Sequence, residues 1–262
     1  MIYKTDYHIH SVFSDGKAQP QDYIEAAKSA GLKEIGFAEH LTLFKNNLDW
    51  SMGRSEVKPY LEHVRDLSER SSGIKVRTGL EVDFFPGMEA KIFSFINSLE
   101  IDYALGSVHY LGDTTVDLGR EFYEGKDIDK LYTEYFETVS AAAASGIFDI
   151  IAHCDLIRIY GFRPSFDLEP AYRKLAKNLK KYEVAFEVNT NGRNRPVADF
   201  YPDRRFLHIF REENVPVCVN SDAHMPERVA QYFDEAYKLV IDAGYTEMAV
   251  FDKRQRFMIP IG

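Results

Sequence analysis

The sequence predicts an α/β fold, either a (β/α) barrel or an open doubly wound sheet. Three observations predict it. The chain has 262 residues, a length at which α/β barrels form one unit. Seven short runs rich in β-branched and aromatic residues recur along it. Amphipathic stretches with helical spacing separate those runs, as alternating β and α elements require.

The elements follow in order. Asp6–Ile9 is the first strand. Asp22–Ala30 is a helix whose Tyr23, Ile24, Ala27 and Ala30 share one face, with Gly31 as its stop. Glu34–Ala38 is the second strand, and Asn46–Ser55, which fits neither period, reads as a loop over the site. Lys75–Val82 is the third strand, followed by a helical stripe at Ile92, Ile96 and Leu99. Asp102–Val108 comes next, then a helix marked by Leu131, Tyr135 and Val139. Phe148–Ala152, a helix through Tyr172, Leu175, Ala176 and Leu179, and Val184–Val188 continue the alternation. Val215–Asn220 is the seventh strand, and Val229, Phe233, Ala236 and Val240 mark the last major helix. No repeat, low-complexity tract or linker interrupts the pattern, so one domain over residues 1–262 is expected.

Composition narrows the function. Lysine and arginine number 32 and aspartate and glutamate 41, a net charge of −9. No basic block is present, so the bulk field opposes nucleic acid and anionic membrane. An anionic substrate therefore needs a local positive site, from arginine or from metal. No apolar run is long enough for a bilayer span, and Met1–Lys4 shows no signal-peptide core. Two cysteines, Cys154 and Cys218, form neither a CxxC nor a disulfide framework, and the expected location is the cytoplasm. Cys154 alternates away from its neighbour His153, so both thiols read as buried structural residues.

The eight histidines are distributed unevenly. His63 and His208 lie inside helical patterns and read as incidental. His8, His10, His40, His109, His153 and His224 each sit at or just beyond the carboxyl end of a predicted strand. In a barrel those ends converge on one face, where active sites are built. His8 and His10 share a strand face because side chains alternate, and Asp222 and His224 repeat that spacing. Glu81 ends the Val76–Leu80 run, and Asp15 follows in a Ser14-Asp15-Gly16 turn. Singly, each has a bland explanation: a hydrogen-bonded strand-end histidine, a turn aspartate, a capping glutamate. All nine being incidental is much less probable than any one. Mixed imidazole and carboxylate suit Zn²⁺, Mn²⁺ or Fe²⁺. One catalytic zinc takes about three protein ligands, so nine residues imply two or three adjacent ions.

These residues lie in recognisable motifs. Asp6-Tyr7-His8-Ile9-His10-Ser11, Phe37-Ala38-Glu39-His40, Gly79-Leu80-Glu81-Val82-Asp83, Gly106-Ser107-Val108-His109, Ala152-His153-Cys154-Asp155 and Ser221-Asp222-Ala223-His224 occur in order along the chain. They resemble the motifs of the PHP (polymerase and histidinol phosphatase) family. Gly79–Gly87 and Asp102–Tyr110 are similar to its monofunctional histidinol-phosphate phosphatase branch. The resemblance implies a distorted (β/α)7 TIM-like barrel with a trinuclear metal cluster at the C-terminal face of the strands. It implies one ion on His8, His10, Glu81 and Asp222. A second falls on Glu81, His109 and His153, with Glu81 bridging. A third falls on Asp15, His40 and His224.

The implied reaction is hydrolysis of a small phosphate ester. A metal-bound water loses its proton near neutral pH and attacks phosphorus. Asp222, Asp15 and His224 are the candidates for managing the leaving-group proton. Arginine completes a phosphate pocket because its planar fork matches phosphate oxygens, and Arg158, Arg193 and Arg195 are the candidates. Family members often carry an arginine where this chain has Asn194, with Arg193 and Arg195 flanking it. The leading expectation is a cytoplasmic phosphatase of histidine biosynthesis that releases L-histidinol from L-histidinol phosphate. Its substrate wall would be acidic or aromatic, with Asp83, Asp117 and Tyr160 as candidates. The alternative is a phosphoesterase of the same family acting on another small monoester or diester. A nuclease lacks a basic stripe, a degenerate binding protein would have lost ligands, and a metallo-amidohydrolase would need a strand-end lysine. Kinase and serine-hydrolase motifs are absent. Oligomeric state is not visible in the sequence.

Overall fold

The computed structural model describes residues 2–45 and 48–261. All seven predicted strands form and pair in one sheet. They are β1 (Thr5–Ile9), β2 (Glu34–Leu41), β3 (Lys75–Asp83), β4 (Tyr103–Ser107), β7 (Ile150–Ile151), β8 (Ala185–Asn189) and β9 (Val217–Asn220). Between β4 and β7 lies a small antiparallel pair, β5 (Tyr110–Leu111) and β6 (Thr114–Thr115). Neighbouring strands of the large sheet run parallel. A parallel bridge from Ile9 to Ala223 joins the first edge to the last, with His10 N donating to Ala223 O at 3.0 Å. The open-sheet alternative is thereby set aside: the sheet is a seven-stranded barrel.

Helices α1 (Pro20–Ser29), α2 (Val57–Arg70), α3 (Glu89–Ile96), α4 (Ile128–Ala144), α5 (Glu169–Lys181), α6 (Leu207–Glu212) and α7 (Phe233–Asp242) cover the outside. Their ends follow ordinary capping chemistry. Pro20 opens α1, Asp127 accepts from Lys130 N at 3.1 Å to cap α4, and Gly31 takes φ +75° just past α1. Residues 46 and 47 of the expected loop lie outside the described residues; from Leu48 onward the segment carries no helix or strand element.

Two apolar layers result. Outward residues such as Ile35, Phe37, Leu80, Val82, Phe186 and Val219 pack under the helices. Inward residues Tyr7, Ala38, Tyr103, Leu105, Ile150, Ala185 and Cys218 fill the barrel. Gly36 and Gly79 make that filling feasible: a Cβ at either position would lie 2.3 Å from the Tyr103 side chain. Tyr103 Oη in turn donates to Tyr7 O at 2.7 Å. The lower end is closed by an element the strand reading did not include. It is an antiparallel hairpin of β10 (Glu247–Asp252) and β11 (Gln255–Pro260), which places Ala249, Val250 and Phe251 against the interior residues.

A register shift sits in β1. Asp6 faces Ile35 and Ile9 faces Phe37, so β1 spends one more residue than β2 over that step. Tyr7 accordingly lies in the inner layer and Ile9 in the outer one. Bulges of this kind re-aim side chains near sites, and this one directs His8 and His10 to the upper mouth.

Candidate metal centre

Glu81, near the carboxyl end of β3, is the hub. Its Oε2 lies 2.7 Å from His40 Nδ1, 3.2 Å from His8 Nε2 and 3.5 Å from His10 Nε2. Its Oε1 lies 2.9 Å from His153 Nε2 and 3.6 Å from His109 Nε2. Asp222 Oδ1 is 3.4 Å from His10 Nε2 and 3.8 Å from His8 Nε2. Asp15 Oδ1 is 3.3 Å from His224 Nε2 and 3.7 Å from His40 Nε2. All nine residues singled out by sequence thus meet at one mouth. Their donor atoms fall into overlapping groups of three or four: His8, Glu81 and His153; His8, His10 and Asp222; His40, Glu81 and His109; His10, Asp15, His40 and His224.

Local sequence explains the placement. Strand alternation carries Gly36, Ala38 and His40 inward on β2, and Gly79, Glu81 and Asp83 inward on β3. Asp222 sits just past β9 with φ +52°, a left-handed conformation that aspartate tolerates. Gly16 is required because the Asp15 turn folds back on β1: a Cβ there would lie 2.1 Å from His10 O. Glu39, on the other face of β2, accepts from Ser11 N at 3.0 Å and from the Ser11 and Ser14 hydroxyls, and so orders that turn.

The charges are mutually tuned. Burial raises the Glu81 carboxyl, but the His8, His40 and His109 rings outweigh burial and hold it well below the usual carboxylate range. Asp222 is likewise held down against burial by His8, His10 and His224. Burial, then the His40 and His224 rings, push His10 down to about 3. At His109 burial is outweighed by Asp83 and Glu81, which lift it to about 10. His8 Nε2, both His10 nitrogens, Asp15 Oδ1 and Glu81 Oε2 are buried and have no hydrogen-bond partner in the protein. Buried polar atoms are ordinarily paired. Converging lone pairs of neutral imidazole and carboxylate fit divalent transition metals, as the donor chemistry predicts.

Three supporting roles escaped the sequence reading. Glu187 stands behind the centre, with its oxygens 3.0 and 3.1 Å from His8 Nδ1. It also accepts from His153 N at 2.9 Å, Asn189 Nδ2 at 2.7 Å and Asn220 Nδ2 at 2.7 Å. Asp83, considered as a substrate-wall residue, instead backs His109 Nδ1 at 2.8 Å and is itself held by Thr42 Oγ1. Glu39 is the third. A signal existed for Glu187: an acidic residue in the middle of an apolar strand, two positions before Asn189.

The centre floors a cavity of about 250 Å³. Asp15, His40, His109, His153, Asp222 and His224 reach it, and Trp50, Tyr201, Leu118, Leu156 and Ile159 give it apolar walls. Asp117, Asn191 and Arg195 contribute the polar edge. Tyr160 does not line it; its hydroxyl donates to Asp117 O at 2.7 Å. The three arginines separate. Only Arg195 reaches the cavity wall. Arg193 pairs with Glu235 at 3.4 Å. Arg158, expected at the phosphate, is fully buried beneath the wall, with Asp155 Oδ2 at 2.6 Å from Nε and Asp203 Oδ2 at 3.1 Å and Asp199 Oδ2 at 3.4 Å from Nη1. Three carboxylates keep the Arg158 guanidinium from the cavity, which leaves Arg195 as the one candidate arginine on its wall. Asn194 donates to Gln231 at 2.8 Å and to Asn191 at 3.2 Å.

A histidine–carboxylate cluster at the carboxyl mouth of a parallel barrel defines a metal-dependent hydrolase. The chain belongs to the PHP domain family, whose pattern matches residues 6–191. It is 33% identical to the probable histidinol-phosphatase of Deinococcus radiodurans, across 91% of this chain and 93% of that protein. It is 27% identical to the histidinol-phosphatase of Lactococcus lactis subsp. lactis, across 95% of this chain and 94% of that protein. A crystal structure of histidinol phosphate phosphatase from Lactococcus lactis, complexed with zinc, L-histidinol and phosphate, superposes with a TM-score of 0.85 at 25% identity. It covers 98% of this chain and 100% of that one. No helix among the described residues is long and apolar enough to cross a membrane.

Proposed function

We propose that this chain, acting over residues 1–262 as one catalytic unit, hydrolyses L-histidinol phosphate to L-histidinol and phosphate. The observation that carries the reading is the coincidence of the nine-residue cluster with a small, half-apolar cavity. The chain's likeness, over nearly its full length, to a phosphatase bound to zinc, L-histidinol and phosphate supports it. The metal-ligand assignment is that implied by the family motifs, with Glu81 as the bridge.

Bound divalent ions supply a water of lowered pKa and neutralise charge on the phosphate. The chain's own residues do the rest. Glu81 fixes the spacing of the cluster. Arg195 meets the phosphate from the polar edge. Trp50, Leu118 and Tyr201 receive the imidazole of the leaving alcohol, and Asp117 meets its amine. Asp15, Asp222 and His224 face the cavity, and one of the three manages the proton of the leaving oxygen. Their partial exposure gives them access to solvent. The net charge of −9 and lack of a basic stripe favour a small-molecule ester over nucleic acid, and the two free, buried cysteines favour a reducing cytoplasm as the working compartment.

The test is phosphate release from L-histidinol phosphate with Zn²⁺, Mn²⁺ or Fe²⁺, beside a chelated control, an aryl phosphate and a nucleotide panel. Metal-dependent turnover with strong preference for L-histidinol phosphate is expected. Turnover of the panel esters but not of L-histidinol phosphate would discard the substrate and keep the centre.

A further inference from the structure

The nine candidate ligands are not held alike. His8 is backed by Glu187, a fully buried carboxylate within 3.1 Å of Nδ1 that also fixes the His153 backbone. His109 is backed by Asp83, 2% exposed, which Thr42 holds in turn. In each case the rear Nδ1 donates to a charged oxygen, which sets the tautomer and leaves Nε2 facing Glu81. Both backed rings belong to the groups that share Glu81. The set made by Asp15, His40 and His224 is different. His224 Nδ1 faces a neutral carbonyl, Asp222 O, at 3.1 Å. His40 turns its Nδ1 to Glu81 at 2.7 Å, so its hold on this set is the longer 3.7 Å approach of Nε2 to Asp15. Asp15 and His224 side chains are 30% and 21% exposed, against 0% for His8, His10 and Glu81.

We propose that Glu187 and Asp83 are positioning residues that make the ions sharing Glu81 a tightly held pair. The ion on Asp15, His40 and His224 is then the exchangeable one, which loads last and leaves first. This rests on the metal-centre reading above. The physical ground is that an imidazole whose far nitrogen donates to a buried carboxylate is pre-oriented and more basic. Removing such a partner costs about ten- to a hundredfold in metal affinity.

The experiment follows zinc content of the whole chain across a titration with a colorimetric zinc chelator, independently of turnover. Two ions resistant to chelator and one released early, or taken up only at excess zinc, are expected. H224A should abolish the early step and spare the pair. E187Q and D83N should each loosen the pair by about ten- to a hundredfold and leave the early step in place. T42V should do so more mildly, through Asp83. Should E187Q not fold, D83N and T42V, which act from β3 and from just past β2 instead of from β8, carry the test. One-step release, loss of a resistant ion in H224A, or a resistant pair untouched by D83N would overturn the proposal. A wild-type chain that takes up no zinc, or no more than E81Q, would sink the metal-centre reading itself.

Discussion

Strands β2 and β3 each carry charge at both ends, and the two ends of the barrel use it in opposite ways. At the lower end Glu34 is 1% exposed and fully answered by the chain. Arg77 Nε donates to it at 2.8 Å, Tyr3 Oη at 2.7 Å, Tyr7 Oη at 3.0 Å and Lys75 Nζ at 3.3 Å. Arg77 continues to Asp252 at 3.1 Å, which ties in the closing hairpin. At the upper end Glu81 is equally buried, yet five imidazoles surround it and several of their nitrogens have no partner. The lower carboxylate has a permanent guanidinium for a counter-charge. The upper one has rings whose charge depends on what else binds. One network is complete within the chain and stabilises; the other is complete only with cations and does chemistry. That division matches the general roles of the two faces of such barrels.

The sharpest way to break the comparison is at Glu81. E81Q should lose at least one ion per chain by elemental analysis and about a thousandfold or more in kcat/KM, the scale of losing a transition-state charge stabiliser. Full turnover with full metal would remove Glu81 from the hub. Stripping metal from the wild type should abolish turnover and lower thermal stability by about 3 kcal/mol, as for a ligand about a hundredfold above its Kd. The far-ultraviolet circular dichroism should stay that of the folded barrel, because the lower end and both apolar layers need no ion. Unfolding on chelation would show that the upper end is structural too.

The lower end gives the reverse pattern. R77M should cost about 3 kcal/mol in urea denaturation, as when one partner of a buried ion pair is removed, with metal content and turnover per folded chain unchanged. Its pH dependence has a defined sign. Burial raises the Glu34 carboxyl, but the hydrogen bonds from Arg77 and Tyr3 outweigh it and depress it below its ordinary value. A depressed carboxyl stabilises fully above the unfolded-state value and loses that contribution as pH falls through the folded one. The gap between wild type and R77M should therefore be full at neutral pH and shrink below about pH 4. A gap that widens in acid would contradict this assignment.

Smaller effects refine the upper end. R195A should raise KM and lower kcat/KM by about tenfold, a modest change for an exposed cation. R158A should instead show up as lost stability, since Arg158 serves its three aspartates. Equal specificity constants for R195A and wild type would return the phosphate contact to another group. Smallest of all, H63A and H208A should leave metal content and turnover as they are, because both rings lie on exposed helix positions. Loss of an ion in either would undo the sorting of the histidines.

What the sequence determined by itself was local. The order of strands and helices, the inward phase of His40 and Glu81, and the collection of nine candidate ligands at or near strand ends all follow from periods of two and 3.6 residues. Those periods are written in the chain. The tertiary structure decided what depends on neighbours distant in sequence. The closing bridge from Ile9 to Ala223 chose the barrel over the open sheet. The extra residue in β1 aimed His8 and His10. Glu187 became the partner of His8 across 179 positions, and Asp83 turned from substrate wall to support for His109. Arg158 was taken from the phosphate by Asp155, Asp199 and Asp203. Such pairings are set by register and by loop paths, and a side chain's spacing along its own strand carries no information about which residue of another strand will face it.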